Sequence, residues 1–229
     1  MLTALRPIAS RIERRSGLPL VPTSVMRDRD FALGALAVVA FLFGNISFYL
    51  VTTLYLQQGL AATALQSGLA IVPLGLAFAI ASRWAAPRAQ RLGERAILQG
   101  LAVQMVGLAC AGIAVASVEL MTWDLLAVIL ILFGVGQGMV FAPLYGLVLS
   151  RIPPAHAGSG AGIVNTLQQI GNAGGVAVIG ALFLTVQTAQ STAAAYLAAL
   201  TALVVALAVT AGLVAALANK SARDRSSVC

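Results

Sequence analysis

Uncharged residues in this chain run on for long stretches, broken only by short charged or polar segments. Between Asp30 and Arg83 lie 52 residues without a charge, between Arg95 and Glu119 there are 23, between Asp124 and Arg151 there are 26, and between Arg151 and Lys220 there are 68. One membrane crossing by an α-helix takes about 20 apolar residues. The four runs therefore hold two, one, one and two crossings. The first run turns at Gln57–Gln66, where Gln57, Gln58 and Gly59 interrupt the hydrophobicity, and the last has polar turns at Pro153–Gly158 and Gln187–Ser191. The pattern predicts six helices, near residues 31–56, 67–85, 96–117, 125–149, 159–186 and 194–218.

Composition makes lipid the solvent. Apolar residues are 60% of the chain and charged ones 9%, with a mean hydropathy of +0.95. A soluble domain carries roughly a quarter charged residues to cover its surface. The short alternating segments of a membrane β-barrel are absent, so the expected fold class is an all-α integral membrane bundle of six transmembrane helices.

Charge placement then orients the bundle. All 14 basic residues fall before the first helix, after helices 2 and 4, or in the tail, while the loops after helices 1, 3 and 5 carry only Glu119 and Asp124. Basic loops stay in the cytoplasm. Both termini are thus expected inside, in the plasma (inner) membrane, with a cytoplasmic basic linker at 1–30, the bundle at 31–218 and a cytoplasmic tail at 219–229. The net charge of +7 is dispersed along one membrane face, which suits anionic lipid headgroups and argues against nucleic acid as a partner. Residues 2–15 fit a basic amphipathic segment, either a targeting peptide or a juxtamembrane linker. The first apolar run is a full span preceded by 30 residues, unlike a signal peptide.

Candidate chemistry concentrates on helix 5. Asn165, Gln168, Gln169 and Asn172 recur at i, i+3, i+4 and i+7, forming one polar stripe on an apolar helix. Lipid leaves amide hydrogen bonds unmade, so this stripe faces either other helices, as interhelical glue, or the water of a substrate cavity. Gly158 and Gly162, like Gly171 and Gly175, stand at the four-residue spacing that lets helices approach closely. Helix 1 offers Asn45, Tyr49 and Thr52, and helix 4 offers Gln137, Phe141 and Tyr145, as further lining for one cavity. Pro73 and Pro143 mark kinks or hinges in helices 2 and 4. Phe43-Gly44 and Phe133-Gly134 at comparable depth hint at two three-helix units of inverted topology.

Enzymatic features are missing from the sequence. Cys110 and Cys229 differ in predicted depth and make neither a disulfide nor a metal pattern, and no nucleophile has a plausible base. No metal or cofactor is expected. The Gly-x-Gly-x-Gly runs at 134–138 and 158–162 lie in or beside membrane helices, without the strand a nucleotide loop requires. No ionisable residue occupies the middle of a predicted span, whereas ion-coupled transporters usually bury one. The lone His156 falls in a loop.

Three stretches resemble the major facilitator superfamily, in particular its fourteen-helix drug:proton antiporter branch, the EmrB/QacA-like proteins. They are Ile12-Glu13-Arg14-Arg15 through Pro19-Leu20 to Met26-Arg27-Asp28-Arg29-Asp30-Phe31, then Leu54-Tyr55-Leu56-Gln57 through Leu65-Gln66-Ser67-Gly68-Leu69 to Pro73-Leu74-Gly75, and finally Ala157-Gly158-Ser159-Gly160 through Asn165-Thr166-Leu167-Gln168-Gln169-Ile170-Gly171 to Gly174-Gly175-Val176-Ala177. The resemblance implies the C-terminal six-helix bundle of a proton-coupled multidrug efflux transporter, with Met1 an internal start in a truncated, frameshifted or split gene. It also implies that the coupling acids belong to an N-terminal bundle. The cytoplasmic loop counterpart keeps Arg91 and Gly93, followed by Arg95, but has Gln90 where that pattern has Asp. The expected partners are membrane lipid, a small hydrophobic or amphipathic substrate, and a separate N-terminal half, without which the chain is inactive. The alternatives are a homodimer that rebuilds a transporter and a non-transporting membrane protein or remnant.

Overall fold

The computed structural model describes residues 29–117, 122–150, 152 and 157–226. The basic segment 2–15, His156 and Cys229 lie outside them. Among the described residues are six α-helices: α1 Arg29–Leu54, α2 Ala64–Leu92, α3 Glu94–Ala116, α4 Trp123–Leu149, α5 Ala157–Ala189 and α6 Thr192–Ser226. Each contains a stretch long and apolar enough to cross a membrane, and no strand occurs among the described residues.

Local chemistry sets the helix ends. Asp30 sits in the first turn of α1, where a carboxylate suits the helix dipole. At its far end α1 widens into a π-helical turn, Tyr55–Gly59, whose Leu60 N–H donates to the Tyr55 carbonyl. Gly59 fits closely there: a Cβ would stand 3.1 Å from the Tyr55 ring, which would have to shift by a few tenths of an ångström to admit it. Helix α2 opens on a reciprocal capping box: the Gln66 N–H donates to Thr63 Oγ1 at 3.2 Å, and the Thr63 N–H to Gln66 Oε1 at 2.8 Å. Thr122 Oγ1 caps α4 by accepting from the Leu125 N–H, and Ser191 Oγ caps α6 by accepting from the Ala194 N–H.

Two expectations about boundaries change. The basic region 83–95 is not an open loop: α2 continues to Leu92 and α3 begins at Glu94, with Gly93 alone between them. Gly93 has φ 56° and ψ −133°, a conformation essentially confined to glycine. Arginines lengthen helices in water as readily as most residues, so a charge marks the membrane surface and not the helix end. For the same reason α6 runs on through most of the 219–229 segment, to Ser226.

Tight helix contacts are made by glycine. A Cβ on Gly134 would collide with the Leu74 carbonyl oxygen, and one on Gly138 would stand 2.6 Å from the Phe78 carbonyl oxygen, both on α2. One on Gly136 would stand 2.6 Å from the Gln104 nitrogen on α3. The three glycines of 134–138 thus seat α4 between α2 and α3. Gly171 and Gly175 of α5 do the same against the Val39 and Phe43 carbonyls of α1. In lipid, without a hydrophobic drive between helices, such close van der Waals contact holds a bundle together. At its centre the Phe48 and Phe133 rings of α1 and α4 stack at 3.8 Å.

The packing is symmetric under exchange of α1–α3 with α4–α6. Helix α1 packs on α5 and α6, α4 packs on α2 and α3, and α3 meets α6. This is the pattern of two inverted three-helix units. The sequence pair that hinted at it is not equivalent, however, because Gly44 looks onto Ala206 of α6 and Gly134 onto α2. Burial is uneven. In its most apolar stretch α1 is 61% buried, against 22% for α2 and 28% for α5, so α2 and α5 each present an uncovered face.

Candidate functional site

The four amides of α5 fall on its less covered side. Asn165 and Gln169 are exposed, while Gln168 and Asn172 are half-buried. Asn172 Oδ1 is shut away from solvent yet accepts no hydrogen bond. Helical spacing puts the amides on one face, beside the edge where Gly171 and Gly175 dock on α1, so Gln168 and Asn172 lie nearer the bundle and Asn165 and Gln169 farther from it.

Across the narrow contacts that join α4 to α1 and α5 stands a second polar and aromatic group. The Tyr49 hydroxyl donates to Gln137 Oε1 at 2.8 Å, tying α1 to α4. One and two turns further along α4, the Phe141 and Tyr145 rings stack with centroids 4.7 Å apart. Phe78 of α2 meets Phe141 edge-on at 6.0 Å. Tyr145 is half-buried, and its hydroxyl is enclosed and unpartnered. Aromatic faces, amides and an unused hydroxyl together suit a small amphipathic molecule, with apolar area for its body and a few donors and acceptors for its polar groups.

Three residues expected to line a cavity are buried ties between helices, one of them Gln137, 8% exposed and bonded to Tyr49 as described. Asn45 is 3% exposed; its Nδ2 donates to the Phe41 carbonyl of its own helix and its Oδ1 accepts from Gln104 Nε2 of α3 at 3.2 Å. Thr52 Oγ1 lies 3.0 Å from the Tyr196 hydroxyl of α6, under the stacked Tyr55 and Tyr196 rings. Gln104, wholly buried with its Oε1 unpartnered, was not singled out from the sequence. Its signal was the one used for α5, an amide inside an uncharged span. Tyr196 and Phe78 carried no such signal.

The remaining residues separate as clearly. Gly158 and Gly162, expected to pack, have nothing within 4 Å of a Cβ; only the Gly171–Gly175 pair meets a neighbour closely. Pro73 and Pro143 sit inside unbroken helices. Arg91 and Arg95 are exposed on either side of Gly93. A groove of about 530 Å³ lies elsewhere, between α2, α3 and α4; of the expected residues it includes Pro73 and none of the amides.

Residues 3–176 match the Major Facilitator Superfamily. This chain belongs to that superfamily. Membership of that superfamily and the six helices long and apolar enough to span a bilayer make it a multi-pass membrane protein. Among its relatives are the "Probable actinorhodin transporter" of Streptomyces coelicolor, 28% identical over 80% of this chain and 32% of the relative. The "Multidrug resistance protein Stp" of Mycobacterium tuberculosis is 31% identical over 75% of this chain and 31% of the relative. The "Puromycin resistance protein pur8" of Streptomyces alboniger is 34% identical over 82% of this chain and 36% of the relative. The matched part of this chain thus spans about a third of the length of these relatives.

Proposed function

We propose that this chain is the C-terminal half of a proton-coupled small-molecule efflux transporter, completed by a second six-helix bundle. The observation that carries the reading is the exposed amide pair Asn165 and Gln169 on α5, continued by the enclosed but unpartnered Asn172 Oδ1. An amide facing lipid forfeits its hydrogen bonds, at several kcal/mol per group in the worst case, so this face belongs against water or another bundle. Relatives named as drug and antibiotic resistance proteins, and about three times as long as the matched segment, supply both the cargo class and room for the second bundle. Substrate would sit between Asn165, Gln168, Gln169 and Asn172 on one side and Phe141 and Tyr145 on the other. The carboxylates for proton coupling would come from the second bundle. Arginine placement supports an orientation with both ends of the chain in the cytoplasm, and the inner membrane is the location that goes with this reading.

Single cysteines introduced at 165, 169 and 172 in membranes should react with a water-soluble thiol reagent, and one at Val178, exposed on another side of α5, should not. Equal protection at all four positions would remove the cavity. A detergent-solubilised mass of two copies would replace the separate partner with a parallel homodimer.

A further inference from the structure

The groove between α2, α3 and α4 sits on the opposite side of α2 from the proposed cavity. Successive α-helical residues are about 100° apart. Around α4, Gly134 and Gly138 contact α2, Gln137 and Phe141 lie to one side of that contact, and Ile131, Val135 and Met139 line the groove on the other. The groove has a structural cause. Gly138 brings the α2 backbone hard against α4 while Gly136 does the same for α3, so α2 and α3, joined only by Gly93, diverge along two sides of α4. Small side chains at Ala77 and Ala81 floor the trough, and the exposed Leu76, Ile80 and Trp84 form its rim.

Its length and charge identify an occupant. The stretch from Pro73 to Arg88 spans about 22 Å at 1.5 Å per residue, and half of a bilayer including its headgroups is also about 20–22 Å. The deep end is apolar. The shallow end carries Trp84, 68% exposed, as an interfacial tryptophan, with Arg88 and Gln99 in the lining. Arg83, Arg91 and Arg95 stand nearby against the single acid Glu94, leaving this end strongly positive. We infer that the groove is a binding site for one anionic phospholipid of the cytoplasmic leaflet, its acyl chain in the trough and its phosphate at Arg88. The inference draws on the proposed orientation but not on the transport reading.

The full chain carrying Trp123→Phe, so that Trp84 is the only tryptophan, would be reconstituted in phosphatidylcholine nanodiscs. These would be doped with either brominated phosphatidylglycerol or brominated phosphatidylcholine. Identical leaflets make the result independent of orientation. Trp84 should be quenched by the anionic lipid with about a fivefold advantage, the usual worth of one arginine at an anionic surface. Arg88→Gln should bring the two lipids to parity, and Arg95→Gln, outside the groove, should keep the preference. Equal quenching by both lipids, or a preference that survives Arg88→Gln, overturns the site. Equal loss with Arg88→Gln and Arg95→Gln overturns it too, in favour of diffuse surface attraction. Failure of the thiol-labelling pattern on α5 would leave this result untouched.

Discussion

Adjacent glycines on α5 should respond to the same substitution in opposite ways. At Gly175 a Cβ would be driven into the Phe43 carbonyl oxygen, with Ser47 Oγ at 2.6 Å and the Phe43 carbonyl carbon at 2.7 Å. Backbone cannot rotate aside as a side chain does, so Gly175→Ala must move α5 off α1, by roughly 1 Å to restore ordinary contact distances. It would also disturb the Ser47 hydroxyl, which donates to the Phe43 carbonyl at 2.7 Å. Overpacking of this kind costs about 1–3 kcal/mol. The gain in helix propensity offsets about 1 kcal/mol, leaving a net loss of up to about 2 kcal/mol. At Gly174 the nearest atom to a new Cβ is Phe43 Cδ2 at 3.7 Å. Gly174→Ala should therefore be neutral or stabilising by up to about 1 kcal/mol. The midpoint of thermal unfolding in detergent, followed by size-exclusion chromatography after heating, reads both. Equal shifts for the two variants would refute the claim that α5 docks on α1 through Gly175.

Further outcomes test the division between structural ties and cavity wall. Asn45→Ala leaves buried Gln104 without its partner and should lower stability by about 1–2 kcal/mol, while Asn165→Ala, on an exposed position, should stay within about 0.5 kcal/mol yet change transport by the assembled protein. Similar melting shifts for both would dissolve the distinction. Thr52→Val should cost about 0.6 kcal/mol, the usual worth of an interhelical hydrogen bond in a membrane, and a double variant with Tyr196→Phe should cost no more than the sum of the singles. Gly93→Ala meets no atom within 4 Å but must adopt φ 56°; it should destabilise by about 1–3 kcal/mol from backbone strain alone, an effect that chemical denaturation would expose.

Much of the site was legible as residue types and little of it as geometry. Asn45, Tyr49 and Thr52 share a helix face by spacing, which by itself points all three to one cavity. In the fold they fan out to three partners: Gln104 on α3, Gln137 on α4 and Tyr196 on α6. A face about 100° wide on a central helix touches several neighbours at once, and spacing says nothing of which neighbour is where. Glycine spacing had the same limit. The pairs 158/162 and 171/175 look alike in sequence, yet only the second meets a backbone.

The sequence by itself determined the number of crossings, the membrane as solvent and the end at which charge gathers, because the cost of placing a residue in lipid is local and adds along the chain. Only the tertiary structure decided which amides are spent inside the bundle and which are left over, and where α2 and α3 part to open a trough. Those outcomes depend on contacts between residues far apart in sequence, set by the few positions where glycine lets two backbones touch.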